Sequence, residues 1–212
     1  MKMINNLFPI SKTGFKYIVI MLALLIVFSI FDLEFLVFIS FVIMLTLVYL
    51  FRNPEREVPA FSTGSLVSPS DGLVTSIEEI SDKDYAYKIE VENSFSGVGV
   101  LRTPMDAKVE SLKVVKGTRV SKNHNLFNCT NEYAEVKFSD NSSNSIKVIH
   151  KLQESFAPIS LDIIEAQNLR QSTRYGNALN SVTTIYIPQN FRLNISVGNE
   201  LKASESLIGY FS

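Results

Sequence analysis

The chain has 212 residues and a mass of 23.8 kDa, is 46% hydrophobic and 19% charged, and carries a formal net charge of −1. These values exclude a disordered or collagen-like chain, and with no block of basic residues after Arg52 they argue against a nucleic-acid surface. The single cysteine, Cys129, excludes an internal disulfide, a CxxC redox pair and a cysteine-built zinc site; it suits a reducing compartment and is expected to pack as a small residue.

The apolar content is concentrated near the start. Ile18 to Phe31 and Phe35 to Phe51 are two nearly unbroken apolar runs on either side of Asp32-Leu33-Glu34. A spanning helix needs roughly 20 mainly apolar residues, with about 17 as the lower limit, so residues 17–51 are expected to form a transmembrane helical hairpin. A re-entrant or interfacial pair is the alternative. A cleaved signal peptide fits less well, because no small-x-small site follows Phe31 and a second apolar run begins at once. Lys2, Lys12 and Lys16 precede the hairpin, Arg52 and Arg56 follow it, and the turn carries only acids. The positive-inside rule then places both flanks in the cytoplasm. This divides the chain into a basic cytoplasmic N-terminus (1–16), the hairpin (17–51), a juxtamembrane linker (52–70) and a domain at 71–212 on the cytosolic face of the cell membrane.

Pro54, Pro59, Gly64 and Pro69 punctuate the linker. Beyond it, Tyr85–Val91, Lys108–Val115, Ser145–Leu152 and Val182–Ile187 show period-two or β-branched patterns, separated by turn signals at Asp71-Gly72, Lys116-Gly117 and Gly198-Asn199. Only 165–171 (EAQNLRQ) reads as helical. The domain is therefore expected to be mostly β, following the helical N-terminus. Leu66–Ile77 and Val197–Gly209 share a strand–turn–strand cadence of the kind found in hammerhead, barrel-sandwich β domains. His124 reads as a solvated loop residue, and His150 as a partly buried, satisfied histidine on an alternating strand. Two isolated histidines with no HxH or HxxxH spacing do not make a metal site.

The ordered motifs resemble one family. FRNPEREVP at 51–59 is similar to the juxtamembrane segment of short, hairpin-anchored phosphatidylserine decarboxylases, and VSPSDGLV at 67–74 to their SP-x-DG motif. VLRTP at 100–104 resembles their HVNR-x-P strand, RYGNALNSVTTIYIP at 174–188 the segment with their Gly-Ser cleavage site, and 197–208 their closing turn and strand. The resemblance implies autocatalysis: the chain cuts itself before a serine, which becomes a pyruvoyl group. That carbonyl cofactor takes up the amine of phosphatidylserine and serves as electron sink while carbon dioxide leaves, giving phosphatidylethanolamine. The serine needs activation and the protons need a carrier; in the family an aspartate, a histidine and the serine supply these parts. Carried over, the aspartate falls on Asp71 and the serine on Ser181, with cleavage between Asn180 and Ser181. Arg52 and Arg56 are candidate phosphate or headgroup contacts. The family's histidine falls on Gly99, its glycine before the serine on Asn180, and a glycine near the end on Ser204; Gly176 also sits one residue closer to Ser181 than the usual pattern.

Three readings follow. The chain is an active decarboxylase; or a non-catalytic, membrane-anchored homologue binding phospholipid headgroups or a protein partner; or a hammerhead carrier domain, which would need a lysine at a hairpin tip. Loss of the histidine favours weak or absent activity. The expected partners are the phospholipid membrane and phosphatidylserine or a related lipid, with self-association left open and no nucleic acid.

Overall fold

The computed structural model describes residues 9–57, 59, 61–62, 64–140, 142 and 144–212; Lys2 of the basic N-terminus lies outside them. The chain forms two compact units, Met1–Glu55 and Arg56–Ser212.

The first unit is a helix pair, α1 (Lys12–Ile30) and α2 (Glu34–Leu50). Ser11 caps α1, its hydroxyl accepting from the Gly14 N–H at 3.4 Å. The turn between the helices places Asp32 at φ 52°, a left-handed conformation that aspartate tolerates better than most residues. Gly14 faces Phe51 so closely that a Cβ would lie 2.2 Å from the Phe51 Cβ. Most of the large apolar side chains on both helices are exposed. Among the described residues α1 alone is long and apolar enough to cross a membrane; α2 is a shorter apolar helix.

The second unit is mostly β, as the alternating patterns lead one to expect. Its elements are β1 (Ser65–Val67), β2 (Gly72–Glu79), β3 (Tyr87–Asn93), β4 (Val100–Arg102), β5 (Ala107–Val115), the short α3 (Phe127–Thr130), β6 (Tyr133–Ser139) and β7 (Ser145–Leu152). They continue with β8 (Ser160–Leu161), β9 (Asn168–Leu169), β10 (Arg174–Asn177), β11 (Ser181–Ile187), β12 (Phe191–Leu193), β13 (Glu200–Leu201) and β14 (Leu207–Phe211). An eight-stranded antiparallel sheet runs β13-β2-β3-β11-β7-β6-β5-β9, beside two three-stranded sheets, β1-β14-β12 and β4-β10-β8. The buried face of the large sheet is built from alternate residues such as Ile89, Val91, Val136, Phe138, Ile146, Val148, Ile185 and Ile187.

The two segments of similar cadence interlock: β1 pairs with β14 and β2 with β13. The Ser68 N–H donates to Ser206 and the Ser204 N–H to Ser68, both at 2.9 Å. Two expectations fail. Residues 165–171 are not helical: Ala166 turns the chain at φ 63°, and Asn168–Leu169 then joins the sheet edge against Ala107 and Lys108, so tertiary pairing overrides the local helix preference. Cys129 does not pack in the core but is exposed on α3.

Candidate functional site

The segment that carries Ser181 arrives through β10, whose residues pair with β4, and turns at 178–180 into β11. The turn is fixed by the Ala178 N–H donating to the Gly99 carbonyl at 2.8 Å. Asn180 holds φ 52°, so the residue before Ser181 is left-handed. Its carbonyl accepts the Gln153 main-chain N–H at 3.0 Å. Ser181 is wholly buried, opposite Asn93 on one side and Leu152 on the other. Its hydroxyl donates to the Ala178 carbonyl at 3.2 Å. Among the described residues no carboxylate, imidazole or amine bonds to it.

Around this turn the side chains are neutral amides. The buried Asn177 carboxamide has no hydrogen-bond partner at either end, and the Asn93 Oδ1 has none either; the Asn93 Nδ2 donates to the Val98 carbonyl at 2.9 Å. A Cβ built on Gly99 would lie 3.3 Å from both the Ala178 carbonyl oxygen and the Asn177 carboxamide. A side chain at position 99 would therefore point at the turn that presents Ser181, where Asn177 now sits.

Asp71 makes no hydrogen bond to Ser181. It precedes β2, which is separated from β11 by β3, and both its oxygens are engaged. Oδ2 accepts from Arg56 at 2.7 Å and Oδ1 from the Ala203 N–H at 2.8 Å. Arg56 also meets Glu205 at 3.3 Å. The ion pair with Asp71 is largely desolvated, the two side chains being 11% and 13% exposed. Ser204, between Ala203 and Glu205, has φ 70°. Arg52 belongs to the helix pair, where its guanidinium lies over the Tyr49 ring at 4.3 Å and donates to the Tyr49 carbonyl at 3.1 Å.

Of the two histidines, His124 is an exposed loop residue whose Nδ1 accepts from the Leu126 N–H at 3.1 Å. His150 is fully buried rather than partly so. Its Nδ1 meets the Thr183 hydroxyl at 2.9 Å and its Nε2 the Tyr175 hydroxyl at 2.5 Å. Burial pushes the imidazole down to about 3 and the Tyr175 phenol upward. A neutral ring that accepts from Tyr175 and donates to Thr183 satisfies all three groups.

A profile of the family described as phosphatidylserine decarboxylase matches residues 43–209. The chain belongs to that family. It is 27% identical over 207 residues to a phosphatidylserine decarboxylase proenzyme of Desulfotalea psychrophila, covering 95% of this chain and 96% of that one. A second proenzyme, from Ehrlichia ruminantium strain Gardel, is 25% identical over 213 residues, 97% of this chain and 92% of the relative. A third, from Neorickettsia sennetsu, is 27% identical over 171 residues, 77% and 76% of the two chains.

Against the family pattern, the left-handed angles at Asn180 and Ser204 fall where the resemblance expects glycine, which is the residue that adopts them without a Cβ penalty. Both side chains are accommodated with the backbone conformation kept. Gly99 leaves no proton carrier at the position expected to hold a histidine. Among the described residues no hydrogen bond joins any two of Ser181, Asp71 and His150. The residues that touch the turn, Gln153 and Asn177, escape sequence reading. Asn177 alternates with Tyr175 on one strand, and nothing in that period shows that it faces Gly99; Gln153 acts through its main chain.

Among the described residues no group of three or more His, Cys, Asp or Glu could hold a metal ion. A pyruvoyl group at position 181 would need neighbouring groups that move protons. The Ser181 hydroxyl meets a main-chain carbonyl, and the side chains beside its turn, Asn93 and Asn177, are amides, so the donor set does not fit that chemistry.

Proposed function

We propose that this protein is a membrane-held member of the phosphatidylserine decarboxylase family in which self-cleavage at Asn180–Ser181, and with it the decarboxylation of phosphatidylserine, is weak or lost. One observation carries the reading: the hydroxyl of Ser181 donates to a main-chain carbonyl, while the position that points at its turn, Gly99, has no side chain. A carbonyl oxygen holds the hydroxyl proton but is far too weak a base to remove it. Each proton-transfer step deprived of its acid or base is slowed about 10²- to 10⁴-fold. Asp71 does not compensate, since its two oxygens serve Arg56 and Ala203; in this reading it is a clasp rather than a base. His150 is walled in by Tyr175 and Thr183.

The helix pair is the anchor, as a hairpin with both flanks in the cytoplasm and the β unit on the cytosolic face. Arg52 and Arg56 are the candidate headgroup contacts, and Arg56 is also engaged by two carboxylates. What then remains is a phospholipid-facing domain without turnover.

An active enzyme is favoured by a different observation, the scissile carbonyl of Asn180 already accepting an N–H from Gln153 next to a left-handed residue. Intact-mass measurement of the full chain purified from membranes decides between the two, alongside carbon dioxide release from phosphatidylserine. The proposal expects one uncut species and little or no release. Full conversion to two fragments, the smaller beginning with a pyruvoyl group at position 181, overturns it.

A further inference from the structure

The register of the large sheet defines two ends. One row runs continuously through Val115, Tyr133, Lys151, Val182, Glu92, Leu73 and Glu200. Ser181 lies at this end, and the connections 68–71, 94–99, 116–132, 153–159 and 202–206 lie there too. The opposite end is closed by the segments 80–86 (ISDKDYA) and 188–190 (PQN) and by Asp140, Ser142 and Asn144, and the Asn190 carboxamide donates to Asn144 at 2.7 Å.

The two ends differ in polarity. Among the described residues of the β unit six large aliphatic or phenylalanine side chains are exposed. Four of them, Leu73, Val114, Leu126 and Phe156, each 46–50% exposed, belong to the Ser181 end. Of the other two, Val197 sits in the turn along the β2 edge, where the Gly198 N–H donates to Val74, and Ile164 in the turn along the β5 edge. Phe156 also stacks on Phe95 of the neighbouring connection, ring centroids 6.4 Å apart and planes within 9°.

Scattered exposed apolar residues need no explanation, but their segregation to one end does. These side chains are carried on separate strands and connections around a rim rather than gathered into one patch, so a flat, deformable surface covers them better than the complementary face of a protein. Charge agrees. The segment 111–131 contains Lys113, Lys116, Arg119 and Lys122 and no acid. Arg119 and Lys122 are paired with Glu132 and Glu92, while Lys113, Lys116 and, on the closing turn, Lys202 are exposed. The exposed acids at this end are Glu154 and Glu200. Lysines beside apolar side chains suit an anionic lipid surface, where the alkyl stem is buried and the ammonium stays with the headgroups. Arg56, the first residue of the β unit, is held at this end by Asp71 at the head of β2.

We propose that the Ser181 end of the β unit is a membrane-docking face, with Phe156 and Leu126 inserted among the lipids of an anionic bilayer and the sheet standing end-on to it. This deepens the reading of a phospholipid-facing domain by naming the residues that meet the lipid, and it requires neither cleavage nor turnover.

The chain contains no tryptophan, so single substitutions report on one place each. The full-length variants Phe156→Trp, Leu126→Trp and, at the opposite end, Asp82→Trp are reconstituted into liposomes of phosphatidylglycerol and bromine-labelled phosphatidylcholine, against the same liposomes without bromine. Bromine on the acyl chains should remove roughly half or more of the emission at positions 156 and 126, with a blue shift, and leave position 82 unchanged. Loss of quenching at both 156 and 126, or equal quenching at 82, overturns the proposal. So does a blue shift without quenching, which marks burial in a protein contact. The readout is independent of carbon dioxide release, so a failed decarboxylation assay and a failed docking assay remain separate results.

Discussion

His150 offers a quantitative test of the packing behind the candidate site. The ring is fully buried between Thr183 and Tyr175, and burial lowers it from 6.5 to about 3. Between those values the unfolded chain binds a proton that the native chain does not, so stability rises with pH across the window and is lost as pH falls. Above the unfolded value the contribution is complete; below the native value both forms are protonated and the loss stops growing. Integrated from pH 8 to pH 5, the difference amounts to about 2 kcal/mol, because the native ring is still neutral at the lower limit while the unfolded one is nearly all charged. Carboxylates add their own slopes, so the comparison is with His150→Gln, which keeps a donor and an acceptor for the two hydroxyls but cannot titrate. Denaturant melts of both full-length proteins in the same detergent, followed by near-ultraviolet circular dichroism, should show the wild type losing about 2 kcal/mol more than the variant over that range. Equal losses would refute the reasoning, since His150 would then take up its proton in the folded protein without penalty.

Three further outcomes follow from the site. Replacing Asp71 by alanine leaves Arg56 in a largely desolvated place with Glu205 as its remaining ion-pair partner among the described residues and should cost about 3–5 kcal/mol in denaturant melts, whereas Asp71→Asn, which can still accept from the Ala203 N–H, should cost less. Gly99→His in an Asn180→Gly background should yield more cleaved chain on a denaturing gel when Asn177→Ala is added, because Asn177 occupies the space at 3.3 Å from the new Cβ; no gain from the added change would remove Asn177 from the account. Gly176→Ala drives a Cβ to 2.5 Å from the Ser160 carbonyl oxygen and should cost about 1–3 kcal/mol, read as a lower unfolding midpoint.

Alternation made much of the sheet readable in advance. Ser145–Leu152 has the same limits in sequence and structure because Ile146, Val148 and Leu152 keep a period of two on the buried face, which His150 shares, while Lys147, Ile149 and Lys151 take the other face. Tyr133–Ser139 carries the same signal through Ala134, Val136 and Phe138, but the small alanine and the flanking polar residues weaken it. At 165–171 good helix formers mislead, since a two-residue pairing at the sheet edge decides the conformation. The site was legible in a different degree. Motif order placed Ser181, Asn180 and Asp71, and the left-handed angle at Asn180 follows from its standing where glycine is expected. The partners did not follow. That Asp71 meets Arg56 and the amide of Ala203, residues 15 and 132 positions away, depends on how β1, β2, β13 and β14 interlock, and no local period encodes that.

The strand that begins at Ser181 is an interior one, hydrogen-bonded to β3 on one side and β7 on the other along its whole length, while β13 and β14 beyond it pair with strands from before the turn. A break between Asn180 and Ser181 would therefore leave the pieces woven together, with the native molecule unchanged in size and the two chains separating only once the sheet is unfolded. The same geometry makes the protein a natural candidate for fragment complementation: a chain ending at Asn180 exposes the edges of β3 and β7 and the partners of β13 and β14, and a separately supplied peptide of residues 181–212 should fold into that gap and complete the sheet.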